Sequence, residues 1–211
     1  MRKLYNPAIH GVLKNQKKSE EITLNDIEIT DSKKWNYIEI MFYPFLLVMN
    51  TLYPNDKIKH KIVLYFSVLG LLKGYSFKAI NFLINQSLLE SNHGKSNLTQ
   101  IGLNVIGMRC VTKRQTTQMG CYTTNSNGDF GTYASVFDCV KDRFLWGEYY
   151  NEPKKYPQIK TLAEDVYNPS EGVIYTDKID SMPNIIWCVI LVLLSFPISL
   201  LIIYKLLKWV K

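Results

Sequence analysis

Four cysteines and three histidines are the whole stock of thiol and imidazole metal ligands in this chain of 211 residues. No two cysteines stand as C-x-x-C, and His10, His60 and His93 are scattered, so the sequence offers no metal site and implies no cofactor. It has no arginine-rich arm and none of the basic-aromatic interleaving that an RNA-binding sheet uses. The formal charge of +7 is therefore not read as a nucleic-acid footprint. The positive residues come instead in small groups, at Lys14, Lys17 and Lys18, at Lys57, Lys59 and Lys61, and at Lys205, Lys208 and Lys211. Behind the basic start Met1-Arg2-Lys3 there is no apolar run, so the expectation is that no signal peptide begins here. No internal repeat is visible. Apolar residues, by contrast, are plentiful at 47%, enough to bury a core. The length suits one ordinary domain with appendages.

The chain divides by composition. Residues 1–35 are polar, with one short alternating piece at 21–29, and read as a flexible or peripheral arm. Residues 36–56 are strongly apolar but carry Glu39, Pro44 and Pro54. The uncharged run within them, from Ile40 to Met49, is short for a membrane span, so a helix packed on the main domain or at a membrane interface is preferred to a second span. Residues 57–72 read as a helix with Gly74 at its close. Ser76 then caps a second helix over 77–91, in which Ile80, Leu83, Ile84 and Leu88 recur at helical spacing. A short helix and turn follow over 97–109, and a loop or β-hairpin over 111–134. Two more helices are expected at 138–150 and 159–166. Cys110 and Cys121 flank the polar loop. They form a disulfide on an oxidising side of a membrane, or remain two thiols in a reducing compartment.

From 185 to 204 there are twenty residues without a charge, the length of a bilayer's hydrocarbon core. Pro197 is tolerated in such a helix, and Trp187, Tyr204 and Trp209 stand where interfacial aromatics would. The basic tail at 205–211 places that end in the cytoplasm and the rest of the chain opposite. A large N-terminal part crossing without a signal sequence is awkward for a host plasma membrane. A virion membrane, with other virion proteins as neighbours, would remove the difficulty, and a bacterial cell envelope is the competing location.

One stretch carries chemistry. In "QSLLESNHGKSNL" a helix with an apolar inner face ends in Glu90 and breaks at Gly94. Glu90 follows Leu83 by seven residues, so both lie on one face. A carboxylic acid set against apolar neighbours favours its proton-bound form, which a general acid needs.

That run, followed by "NVIGMRC", resembles the glucosaminidase family of the lysozyme superfamily (glycoside hydrolase family 73), which includes autolysins and flagellar peptidoglycan hydrolases. The family shows a helix ending in L-E-S, a G-x-S stretch, and then N-x-F-G-M/I-K. Here Asn104, Ile106, Gly107, Met108 and Arg109 stand in that last segment, with Ile for Phe and Arg for Lys. "FGTYASVFDCVKDRFLW" is similar to the family's strand-to-helix piece and "LAEDVYNPSEGVIYTDKI" to its closing segment, so the resemblance spans about residues 58–180.

The resemblance implies an α+β, mainly α, lysozyme-like domain over 57–180 with a small β-hairpin, besides the C-terminal transmembrane helix. It implies hydrolysis of β-1,4 bonds in the glycan strands of peptidoglycan. Glu90 matches the catalytic glutamate, and Tyr175 the tyrosine that lines the cleft near the scissile bond. The second carboxylate varies in place within the family; Asp129, the one acid between Glu90 and Asp138, is the default, and an ordinary turn residue is its other reading. If Asp129 is only that, one acid acts alone, as in a lytic transglycosylase, or with the substrate's acetamido group. Asn92, His93, Asn104, Tyr122 and Tyr133 are the candidates for contact with sugar, although helix capping is the preferred reading of Asn92 and His93. A non-catalytic wall-binding or structural protein with the same fold is the third alternative.

Overall fold

The computed structural model of the chain describes residues 4–5, 37–124, 128–167 and 172–210. The alternating piece at 21–29 and nearly all of the polar arm lie outside them. The elements are mostly helical with a small antiparallel sheet, as the α+β, mainly α expectation has it. Contacts divide the chain into two compact units, which is not the partition that composition suggests. Residues 37–56 and the C-terminal helix group with the helix over 57–72, and the stretch read as one domain over 57–180 is shared between the units.

The first unit contains Ser87–Asn151 and the strand β1 (Leu4–Tyr5). Its sheet has the order β1, β2 (Gly120–Thr124), β3 (Gly128–Thr132), all antiparallel, with Leu4 opposite Tyr122 and Tyr122 opposite Phe130. So a dipeptide of the supposed arm is a strand. Two helices accompany the sheet, Asn97–Gly102 and Val136–Tyr149. Each starts at a serine whose hydroxyl accepts from the amide three residues on. Ser96 takes Thr99 N at 3.2 Å and Ser135 takes Asp138 N at 3.1 Å, the ordinary N-cap arrangement. Leu88, Val105, Ile106, Val136, Val140 and Phe144 are buried in its core.

The second unit holds Lys34–Gln86 and Glu152–Lys211. In chain order its helices are α1 (Tyr37–Met41), α2 (Tyr43–Leu52), α3 (Lys57–Leu72) and the first part of α4 (Phe77–Glu90). Then come α5 (Gln158–Leu162), a π turn at Ala163–Tyr167, α6 (Gly172–Asp180) and α7 (Ile186–Val210). α3 ends as expected at Gly74, at φ +79°. Tyr75 N reaches Gly70 O at 2.9 Å and Gly74 N reaches Leu71 O at 3.0 Å, the two bonds of a Schellman close, which a residue without Cβ makes without strain. Ser76 then caps α4, accepting from Ala79 N at 3.3 Å. α4 buries Ala79, Ile80, Leu83 and Ile84, the helical stripe legible in the sequence. α5 is tied to α6 by Lys160, whose ammonium lies 3.0 Å from Asp177 and 2.9 Å from Asp180; hydrogen bonds to these two carboxylates raise its pKa.

α7 covers the apolar run at 185–204 and packs on α2 and α3, with Phe196 stacked on Phe42 at 5.6 Å. Among the described residues no helix is long and apolar enough to cross a membrane.

Candidate active site

Glu90 is the last residue of α4 and is half-buried. Directly after it the chain closes the helix: His93 N donates to Leu88 O at 2.7 Å and Asn92 N to Leu89 O at 3.1 Å, again the Schellman pair. Asn92 (φ 48°), His93 (φ 56°) and Gly94 (φ 85°) are three successive left-handed residues, a region in which Asn and His are enriched among non-glycines. Ser91 Oγ accepts from Gly94 N at 2.9 Å and pins the reversal. The backbone of Asn92 and His93 thus does the capping, and both residues are exposed.

What faces Glu90 is the loop from Leu103 to Arg109. Asn104 organises it. Its Nδ2 donates to Met108 O at 2.8 Å and Gly131 O at 2.9 Å, while its Oδ1 accepts from Met108 N at 2.9 Å and Ile106 N at 3.4 Å. Ser87 Oγ, one turn before Ser91 on α4, donates to Val105 O at 2.9 Å. The outcome is the position of Gly107, at φ +70°, where a Cβ would lie 3.0 Å from Glu90 Oε2. The absence of a side chain at Gly107 is what lets the carboxylate rest against main chain. Asn104 itself is 1% exposed, and both ends of its amide are consumed within the protein. It is a positioning residue, and the expectation that it touches sugar is corrected.

The same loop pairs with β3. Gly131 N donates to Met108 O at 2.9 Å, Cys110 N donates to Asp129 O at 3.0 Å, and Arg109 bridges Phe130. Asp129 is exposed on this strand. Glu90 rests at Gly107 and Asp129 at Cys110, and three residues of chain span at most about 10 Å. The two acids therefore border the same loop, Glu90 through its side chain and Asp129 through its main chain. The Cys110–Cys121 pair, joined as a disulfide with Cα atoms 5.7 Å apart, ties the end of the loop to β2.

Two aromatic candidates are corrected. Tyr122 and Tyr133 are each 3% exposed and present no ring face to a ligand. Tyr133 instead donates its hydroxyl to Asp142 Oδ2 at 2.8 Å, and burial pushes its pKa well up. Asp142 is fully buried and takes both guanidinium nitrogens of Arg114, at 2.8 and 3.0 Å, and Gln118 Nε2 at 3.2 Å. Burial raises its pKa, but hydrogen bonds from Arg114, Thr116 and Tyr133 outweigh that and hold the carboxyl below its usual value. Gln118 lies over Gly131 and also holds Arg109 O at 2.8 Å and Val111 N at 3.1 Å. Neither Asp142 nor Gln118 was singled out as a functional candidate in the sequence. Phe130, half-buried with the Arg109 guanidinium 4.3 Å above its ring, is the aromatic that stands beside the loop where the two tyrosines were expected.

Tyr175 lies in the second unit on α6, 3% exposed, with its hydroxyl accepting from Gln86 Nε2 at 3.2 Å. Gln86 precedes Glu90 by one turn of α4. Among the described residues no group of His, Cys, Asp and Glu is arranged to hold a metal ion.

No protein-family model matches the chain, and no curated protein matches it. Among solved structures it is similar to the catalytic domain of the autolysin Auto from Listeria monocytogenes. The identity is 15% and the TM-score 0.39, over 79% of this chain and 88% of that one. A likeness of that degree carries no argument here.

Proposed function

We propose that this chain is a peptidoglycan hydrolase that cuts β-1,4 glycosidic bonds, with Glu90 as the general acid. The observation that carries the reading is the seat of Glu90: a carboxylate at the last turn of an apolar helix, against a glycine that leaves it room. The ordered motif matches around Glu90 and Gly107 add the substrate class. In the reaction Glu90 gives its proton to the glycosidic oxygen as the bond to the anomeric carbon breaks. Asp129 then takes a proton from the attacking water, so one bond to the sugar is exchanged for another and no redox partner is needed. The Cys110–Cys121 bond supports an oxidising side for the domain, where the wall lies. α7 serves as the anchor, in a bacterial envelope or a virion membrane.

The deciding experiment is digestion of purified cell walls by the full chain and by Glu90→Gln. The variant keeps the melting temperature of the parent and loses activity by about a thousandfold; full activity in the variant sinks the reading, and an inactive parent makes the chain a non-catalytic wall protein. Mass spectrometry of the released fragments shows reducing ends for a hydrolase. Anhydro-muramic ends would make it a lytic transglycosylase acting through Glu90 alone.

A further inference from the structure

The helix of the second unit that carries the longest apolar run, α7, is turned inside out by the standard of a protein in water. On α7 the face at 189, 192, 195 and 199 is buried and is made of Val189, Val192, Ser195 and Ser199. The opposite face, at 187, 191, 194, 198 and 201, carries Trp187, Leu191, Leu194, Ile198 and Leu201, all half exposed or more. In water the larger apolar side chains turn inward. Between helices in a bilayer the small ones do, because they let backbones approach while lipid is as good a solvent for leucine as protein is. The serine hydroxyls bond back to their own helix, Ser195 to Val192 O at 2.7 Å and Ser199 to Ser195 O at 3.3 Å.

The exposed apolar surface continues onto α1 and α2, which pack on α7. Phe42, Phe45 and Leu46 are buried, while Ile40, Leu47, Val48 and Leu52 are 47–62% exposed. The one acid in this stretch, Glu39, is turned in, bonded to Tyr65 and to Lys61 at 3.1 Å. No charge therefore faces out between Tyr37, 86% exposed, and Tyr53, 55% exposed, and an aromatic residue marks each end of the stretch as it would at a lipid headgroup level. Exposed Lys57 follows at one end of α2, and exposed Lys205 follows the apolar face of α7. Their sign suits anionic lipid. An exposed apolar surface of this extent needs a cover. Here the inward serines, the neutralised glutamate and the aromatic and lysine borders all describe the same one.

We infer that α1 and α2 lie in the lipid with α7, so that the chain meets the bilayer through a packed group of helices rather than a single anchor. This deepens the anchor part of the proposed function and is independent of Glu90. The test is flotation of the full chain with vesicles of phosphatidylglycerol and phosphatidylcholine. The parent floats with the vesicles, Glu90→Gln floats as well as the parent, and the pair Leu47→Lys with Val48→Lys lowers the floated fraction at least fivefold. The apolar pair Leu47→Phe with Val48→Ile floats as the parent does. Lysines that leave flotation unchanged overturn the inference in favour of α7 alone. Equal loss from the lysine and the apolar pairs overturns it as a folding effect, and a parent that remains a soluble oligomer beside the vesicles overturns it in favour of a second copy as the cover. Wall digestion, read separately, reports on Glu90 and is untouched by any of these results.

Discussion

Around Asn104 the first unit buries an amide, an aspartate, an arginine and a tyrosine hydroxyl. Along α7 the second unit leaves leucine and isoleucine outside and turns serine in. Around Asn104 and Asp142 the buried polar groups of the first unit are joined by hydrogen bonds that fix geometry: Asn104 shapes one loop, and Asp142 holds Arg114, Tyr133 and Gln118 around β3. The apolar exterior of the second unit fixes no atom. It sets which solvent the unit tolerates. The chain thus spends hydrogen bonds where an oxygen must be held to a fraction of an ångström and apolar area where only a phase must be chosen.

The polar side of this comparison breaks hardest at Asp142. Asp142→Asn leaves Arg114 buried without its counter-charge and costs about 4 kcal/mol of stability at neutral pH, read by denaturant unfolding. The pH dependence follows from the sign of the shift. The folded carboxyl titrates below its unfolded value, so its contribution is complete above a pH of about 4 and is lost as the pH falls through the folded pKa. The gap between parent and variant therefore narrows in acid. A gap that is constant from pH 7 to pH 3 refutes the charge argument.

Next in size is Gly107→Ala. The new Cβ would sit 3.0 Å from Glu90 Oε2 at a φ of +70°, so either the carboxylate or the loop must give. Turnover of wall substrate falls about a hundredfold through misplacement of the acid, and the melting temperature drops by a few degrees. Unchanged turnover would mean that Glu90 does not act from this seat. Smaller again is Asp129→Asn, expected to slow turnover about tenfold without changing stability. No change assigns the second role to the substrate's acetamido group.

Local signals made much of this readable in advance. The limits of α3 and α4 followed from Gly74, Ser76 and a helical stripe, because each depends on residues close in sequence, whereas the approach of Glu90 to Gly107 joins residues seventeen apart and was not read from the sequence. The buried tyrosines were misread because nothing local tells a ring in a core from a ring in a cleft. Asp142 meets Arg114 across 28 residues, a distance over which spacing carries no signal. The polar arm hid a strand because Leu4–Tyr5 pairs with a hairpin more than a hundred residues away. The grouping of 37–56 with α7 likewise depends on which faces meet, a matter of packing.

Tyr175 tests the boundary between those two kinds of legibility. The motif resemblance assigns it to the cleft, whereas the structure buries its ring and gives its hydroxyl a bond with Gln86 at 3.2 Å, one turn ahead of Glu90 on α4. A tyrosine acting through that bond is a positioning residue. Tyr175→Phe then removes the hydroxyl's bond with Gln86, costs about 1 kcal/mol of stability and lowers kcat less than tenfold with KM unchanged. Gln86→Ala costs a similar amount, and the double variant costs less than the sum because both remove the same bond. A loss of kcat in Tyr175→Phe as deep as that of Glu90→Gln, with stability intact, would instead place the hydroxyl at the reacting bond and require the ring to leave its buried position during turnover.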